Sequence, residues 1–122
     1  MHIPSLLLAK LYVKGTLRNT EEGFQFTVKN VLAPGTAVDF RGLEVDGTEY
    51  RAADVSLLVE GAEAVDAVAV SSRAPLSLSL GTELIVKVRG QRLSTGPREI
   101  LLTFLTREVG ELTVPIRDTI SS

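Results

Sequence analysis

Cysteine is absent from this chain of 122 residues, which removes disulfides, cysteine-ligated zinc or iron–sulfur sites and any thiol nucleophile. Histidine is almost absent too. The only one, His2, sits at the extreme N-terminus, where chains fray, so a Ser-His-Asp arrangement has no base and a histidine-rich metal site is out of reach. Neither a Walker pattern nor a G-x-G-x-x-G loop occurs, so no phosphate cradle is marked. No cofactor and no metal site is therefore expected. Charge of one sign is lacking as well. A net charge of -2 gives no general pull toward nucleic acid or an anionic membrane. No apolar run approaches the length of a membrane span. The opening Met1–Lys10 has no basic leader, and Lys10 interrupts its apolar run, so it does not read as a secretory signal. Asn19 and Asn30 lack the third-position hydroxyl of a glycosylation acceptor. Together these absences predict a cytoplasmic protein that partners neither nucleic acid nor a membrane.

What is present is alternation. Apolar residues at every second position turn one face of a strand to a core and the other to water. In Pro75–Leu80, Leu76, Leu78 and Leu80 share one face. Glu83–Gln91 places Leu84, Val86 and Val88 inward, with Lys87 and Arg89 outward. Glu111–Arg117 repeats this with Leu112, Val114 and Ile116. Pro115 lies on its polar face and cannot donate to a ladder, which predicts an edge strand. Leu11–Asn19 and Phe24–Leu32 read as strands joined across Thr20–Gly23. Ala33-Pro34-Gly35-Thr36 and Asp46-Gly47 are turn signals, the latter between Leu43–Val45 and Thr48–Tyr50. Pro4–Lys10 is predicted to make at most one short helical turn, and Gly61–Asp66 a short helix or a loop. The expectation is one all-β domain over residues 1–122: an antiparallel β-sandwich, immunoglobulin-like or jelly-roll-like.

One segment departs from the pattern. Arg98–Thr106 is apolar on both faces, with Ile100, Leu102 and Phe104 on one and Leu101 and Leu105 on the other. Ile85 is likewise on the polar side of its own strand. A central strand under a loop or the N-terminal segment explains this structurally. A subunit interface formed by Ile85, Ile100, Leu101, Leu102, Phe104 and Leu105 is the functional reading, because sizeable exposed apolar patches mark contact sites.

Carboxylates are the remaining reactive material. Asp39, Glu44, Asp46 and Glu49 form one group in sequence, and Glu60, Glu63 and Asp66 a second. Neither has calcium-loop spacing, and a glycosidase needs two acids facing across a cleft, so a solvated surface is the plainer reading. Lys87, Arg89, Arg92, Arg98 and Arg107 make a locally basic stretch without the interleaved aromatics that bind single strands.

Two resemblances add to this. Lys10–Thr20, Gly23–Asn30 and Leu32–Thr36 resemble a family of small prokaryotic all-β proteins, some of whose members carry the label hydroxymethylglutaryl-CoA reductase. The motifs Gly23–Phe26, Leu43–Gly47 and Val88–Pro97 are similar in layout to the small β subunit of C-glycoside deglycosidases. That second resemblance implies a β-sandwich assembling with a larger TIM-barrel subunit that holds the metal and the chemistry. Arg98 follows Gly96-Pro97 where that family's pattern has a histidine, so no site residue carries over. The leading expectation is a non-catalytic interaction or accessory subunit, forming a homo-oligomer or packing on a larger enzyme. A carbohydrate or small-ligand binding module is the alternative, and a carboxylate-based hydrolase the third.

Overall fold

The computed structural model describes residues 3–121, so His2 lies outside the described residues. The chain is a sandwich of two antiparallel sheets. A short helix, α1 (Ser5–Leu8), runs into a 3-10 turn at Ala9–Leu11. Ten strands follow: β1 (Arg18–Asn19), β2 (Gly23–Lys29), β3 (Gly35–Val45), β4 (Thr48–Tyr50), β5 (Val55–Val59), β6 (Val65–Asp66), β7 (Leu76–Leu78), β8 (Glu83–Arg89), β9 (Gly96–Thr106) and β10 (Gly110–Ile120). One sheet has the order β1-β2-β8-β5-β6. The other has the order β10-β9-β3-β4, with β7 also pairing with β3.

Alternation decides which side chains meet. Phe24, Phe26 and Val28 of β2, Leu84, Val86 and Val88 of β8, and Val55 and Leu57 of β5 face inward from the first sheet. Ile100, Leu102 and Phe104 of β9 and Val114, Ile116 and Ile120 of β10 face them from the second, and all are buried in one cluster. β9 is a central strand, and β10 is an edge strand carrying Pro115, as its sequence predicts. β10 is also shielded by α1, which packs against it.

Two expectations need correction. Leu11–Asn19 is not one strand. A turn closed by Thr16 N–H donating to the Val13 carbonyl interrupts it, with Gly15 at φ +84°, which a side chain would resist. The segment still serves β2 as an irregular edge. Tyr12 bridges Val28, Val13 N–H donates to the Thr27 carbonyl, and Thr27 N–H donates to the Thr16 hydroxyl. β7 stops at Leu78, leaving Leu80 59% exposed rather than on the strand's inner face. Of the two readings of Gly61–Asp66, the loop holds: a turn at Gly61 leads into β6.

The Asp46-Gly47 hairpin forms as expected, with φ of +50° and +86° at its two central residues, the geometry of a type I′ turn. Its aspartate does more than turn the chain. Asp46 accepts from Glu99 N–H at 2.9 Å and pairs with Arg98 at 3.1 Å, tying the β3–β4 hairpin to β9. The Glu99 N–H, with help from Arg98 and against slight desolvation, holds the Asp46 carboxyl below its usual range.

Candidate functional site

The six residues expected at an interface do not form one surface. Ile100, Leu102 and Phe104 are buried between the sheets by the chain's own packing, which corrects their placement at a contact surface. Leu101, 41% exposed, lies on the outer face of the second sheet between Glu44 and Pro115, and Leu105 lies there between Asp39 and Glu111. Ile85 is on the outer face of the other sheet, between Thr27 and Leu58. Alternation assigns each residue to a face of its strand. It does not say that two strands belong to opposite layers.

The carboxylates are scattered. Asp39 pairs with Arg41 at 2.9 Å, Glu44 faces Glu49 across β3 and β4, and Asp46 is held as described. Glu60 accepts from Glu83 N–H. Among the described residues no three of His, Cys, Asp or Glu gather as metal ligands. Asp66 does line a polar groove of about 510 Å3 on the first sheet's outer face, together with Glu21, Glu22, Asp54, Lys87 and Arg89. Its four acids outnumber its two bases, so Lys87 and Arg89 do not present a basic track to a phosphate backbone.

All six aromatic rings are engaged with one another in edge-to-face pairs: Tyr12–Phe26, Phe24–Tyr50 and Phe40–Phe104, with centroids 6.5, 5.4 and 5.5 Å apart. Five of the six rings are buried, and only Tyr50, half-buried, keeps surface that a sugar or a base could stack on.

No sequence pattern marks one further feature, an apolar concavity. At the end of the sandwich where β2 and β8 meet the start of β3, the sheets leave an apolar cavity of about 180 Å3. Val28 and Leu84 wall it from one sheet, and Ala37, Leu102, Phe104 and Val114 from the other. Ile3 and Leu11 of the N-terminal segment close one side. The cause is local. β3 begins Gly35-Thr36-Ala37, whereas its later inward positions carry Phe40, Leu43 and Val45. Interiors pack to near-crystalline density, and an open apolar concavity leaves its wall carbons without the packing partners they would have there. An occupant or a covering surface would supply many of them.

The mouth is built from two tied loops. Asn30 donates through Nδ2 to the Ala33 and Leu78 carbonyls, both at 2.8 Å. Its backbone N–H donates to Thr82 at 3.0 Å, and its carbonyl accepts from Gly81 at 2.7 Å. Across the mouth, Glu108 accepts from Thr36 N–H and from the Thr36 hydroxyl, both at 2.9 Å. Those two Thr36 bonds, the N–H first, hold the Glu108 carboxyl below its usual range, so it stays ionised and clasped. Held in these loops, Val31 and Leu80 are left outside, 47% and 59% exposed.

A second polar cluster closes the sandwich's flank. Asp118 occupies an inward-phase position of β10 and is half-buried. It accepts from the Tyr12 hydroxyl at 2.5 Å and from Gly15 N–H at 2.8 Å, and Tyr12 in turn accepts from Leu17 N–H at 3.0 Å. Burial pushes the Asp118 carboxyl up. The bonds from Tyr12, Thr119 N–H and Gly15 N–H and the Lys14 charge outweigh it, so the carboxyl ends below its usual range. Burial first, then the bond to Asp118, pushes the Tyr12 phenol up. Both directions favour a neutral phenol donating to an ionised carboxylate. This is a structural clasp, since it faces the core rather than a cleft.

Comparison with known proteins gives one family. The model of the hydroxymethylglutaryl-CoA reductase N-terminal domain matches residues 7–121, and the chain belongs to that family. No curated protein matches the chain. Among the described residues no helix is long and apolar enough to cross a membrane.

Proposed function

We propose that this member of the hydroxymethylglutaryl-CoA reductase N-terminal domain family is a non-catalytic interaction domain. It packs through its apolar end on a larger enzyme body or on a further copy of itself. The observation that carries this reading is the end of the sandwich itself. An apolar cavity opens between loops held by Asn30, and those loops present Val31 and Leu80 to solvent. Large apolar side chains on ordered loops around a concavity are what contact surfaces use as anchors. The family's description as the N-terminal domain of a reductase agrees with a domain that accompanies a larger enzyme. The resemblance of Gly23–Phe26, Leu43–Gly47 and Val88–Pro97 to the deglycosidase β subunit implies the same arrangement, with the chemistry housed in the partner. Leu101 and Leu105 offer a lesser contact, because each is flanked by a carboxylate-bearing neighbour.

Light scattering tests this on the purified chain, and on the chain co-expressed with a polypeptide carrying the remainder of such an enzyme. The expected result is a stable assembly in one arm or the other, abolished by Val31→Glu with Leu80→Glu. A monomer in both arms, or assembly indifferent to the double substitution, would overturn the proposal.

A further inference from the structure

The geometry points to the end cavity as a binding site for one hydrocarbon group of about six to eight carbon atoms, carried by a molecule whose polar part stays at the mouth. The size sets the class. The space is about 180 Å3, a little more than the roughly 150 Å3 apolar cavity that remains dry and admits benzene. The walls set the chemistry. Val28, Leu84, Leu102, Phe104 and Val114 present only carbon to the space, and every buried side-chain nitrogen and oxygen among the described residues already has a partner. A water there would need two to four polar partners; these five side chains supply none, and Asn30, Thr36, Thr106 and Glu108 of the lining are already engaged in hydrogen bonds. The rim sets the access. The Asn30 bonds and the Thr36–Glu108 clasp hold the mouth in shape, so binding needs no loop to order. The inference stands apart from the docking surface, for it needs neither a partner nor self-association.

Toluene is a suitable probe, followed by methyl-resolved NMR and thermal melting of the full chain. Saturable shifts are expected at the Val28, Leu84 and Val114 methyls. Val55 and Ile120, at the other end of their strands, should stay put, while Tm rises by a few degrees. Ala37→Leu, which fills the space, should weaken toluene binding at least tenfold. Should that variant fail to fold, xenon-pressurised crystals of the wild type give a second reading, with xenon expected against Leu102 and Phe104. The Val31→Glu, Leu80→Glu variant should still bind toluene, which separates this site from the docking surface. No saturable shift in the wild type, unchanged affinity in Ala37→Leu, or xenon seated elsewhere would overturn the proposal.

Discussion

Replacing Tyr12 by phenylalanine should cost the fold about 2 kcal/mol, and the structure says why. The phenol donates to Asp118 at 2.5 Å and accepts from Leu17 N–H at 3.0 Å. A hydrogen bond to a charged group contributes about 1.5–3 kcal/mol, and a buried N–H left without a partner costs about 1–3 kcal/mol. Asp118 is only half-buried and keeps the Gly15 and Thr119 N–H groups, so water offsets part of the loss. The ring's packing on Phe26 also survives the change. At a urea slope of about 1–3 kcal/mol per molar, 2 kcal/mol lowers the unfolding midpoint by about 1 M. The pH dependence carries a signature of its own. The folded Asp118 carboxyl lies below its unfolded value of about 3.9, so its contribution is present above that pH and is lost as pH falls through the folded value. The folded Tyr12 phenol lies above about 10, so its contribution is present below that pH and is lost as pH rises through the folded value. The wild-type advantage over Tyr12→Phe should therefore be greatest in the wide neutral range and shrink toward both extremes. Urea midpoints within about 0.2 M of each other at pH 7 would refute this reasoning, since that difference is only a few tenths of a kcal/mol.

Adjacent residues of β9 should behave oppositely. Ile100→Ala removes a side chain with 0% exposure and should destabilise by about 2–5 kcal/mol in chemical denaturation. Leu101→Thr, on the open outer face, should change stability by no more than about 0.5 kcal/mol. Gly23→Ala should be costly for another reason. A Cβ there would stand 2.0 Å from the Val88 carbonyl oxygen, a backbone atom, so β2 and β8 would have to part. A loss of about 1–3 kcal/mol is expected from the same assay, with amide exchange accelerated at Phe24 and Val88.

The sandwich was readable in the sequence wherever period two runs unbroken. β8 and β10 place the inward residues that alternation assigns, and Pro115 marks the edge it should, whereas β9, apolar on both faces, takes its inward side from the sheet around it. β3 was not readable over its length. Its buried residues are Ala37, Phe40, Leu43 and Val45, and register shifts between Ala37 and Asp39 and between Phe40 and Gly42 break the period. The N-terminal segment departs from its sequence pattern for a related reason. Leu11–Asn19 has the composition of a strand, but the Val13–Thr16 turn folds it against β2 as an irregular edge. The cavity was hidden because no local pattern encodes it. It arises where small residues of β3 meet Val28, Leu84 and Phe104, brought from distant parts of the chain. Leu80 belongs to the alternating run Leu76–Leu80, and only the early end of β7 leaves it exposed, in the loop between the cavity-lining residues Leu78 and Thr82.

Amide exchange, compared between the isolated chain and its assembled state, tests the docking end most directly. Slowed exchange should concentrate in the two rim loops, residues 29–36 and 78–83, with the outer face of β9 unchanged. Slowing confined to residues 99–105, or absent from both rim loops, would contradict the assignment of the apolar end as the contact surface.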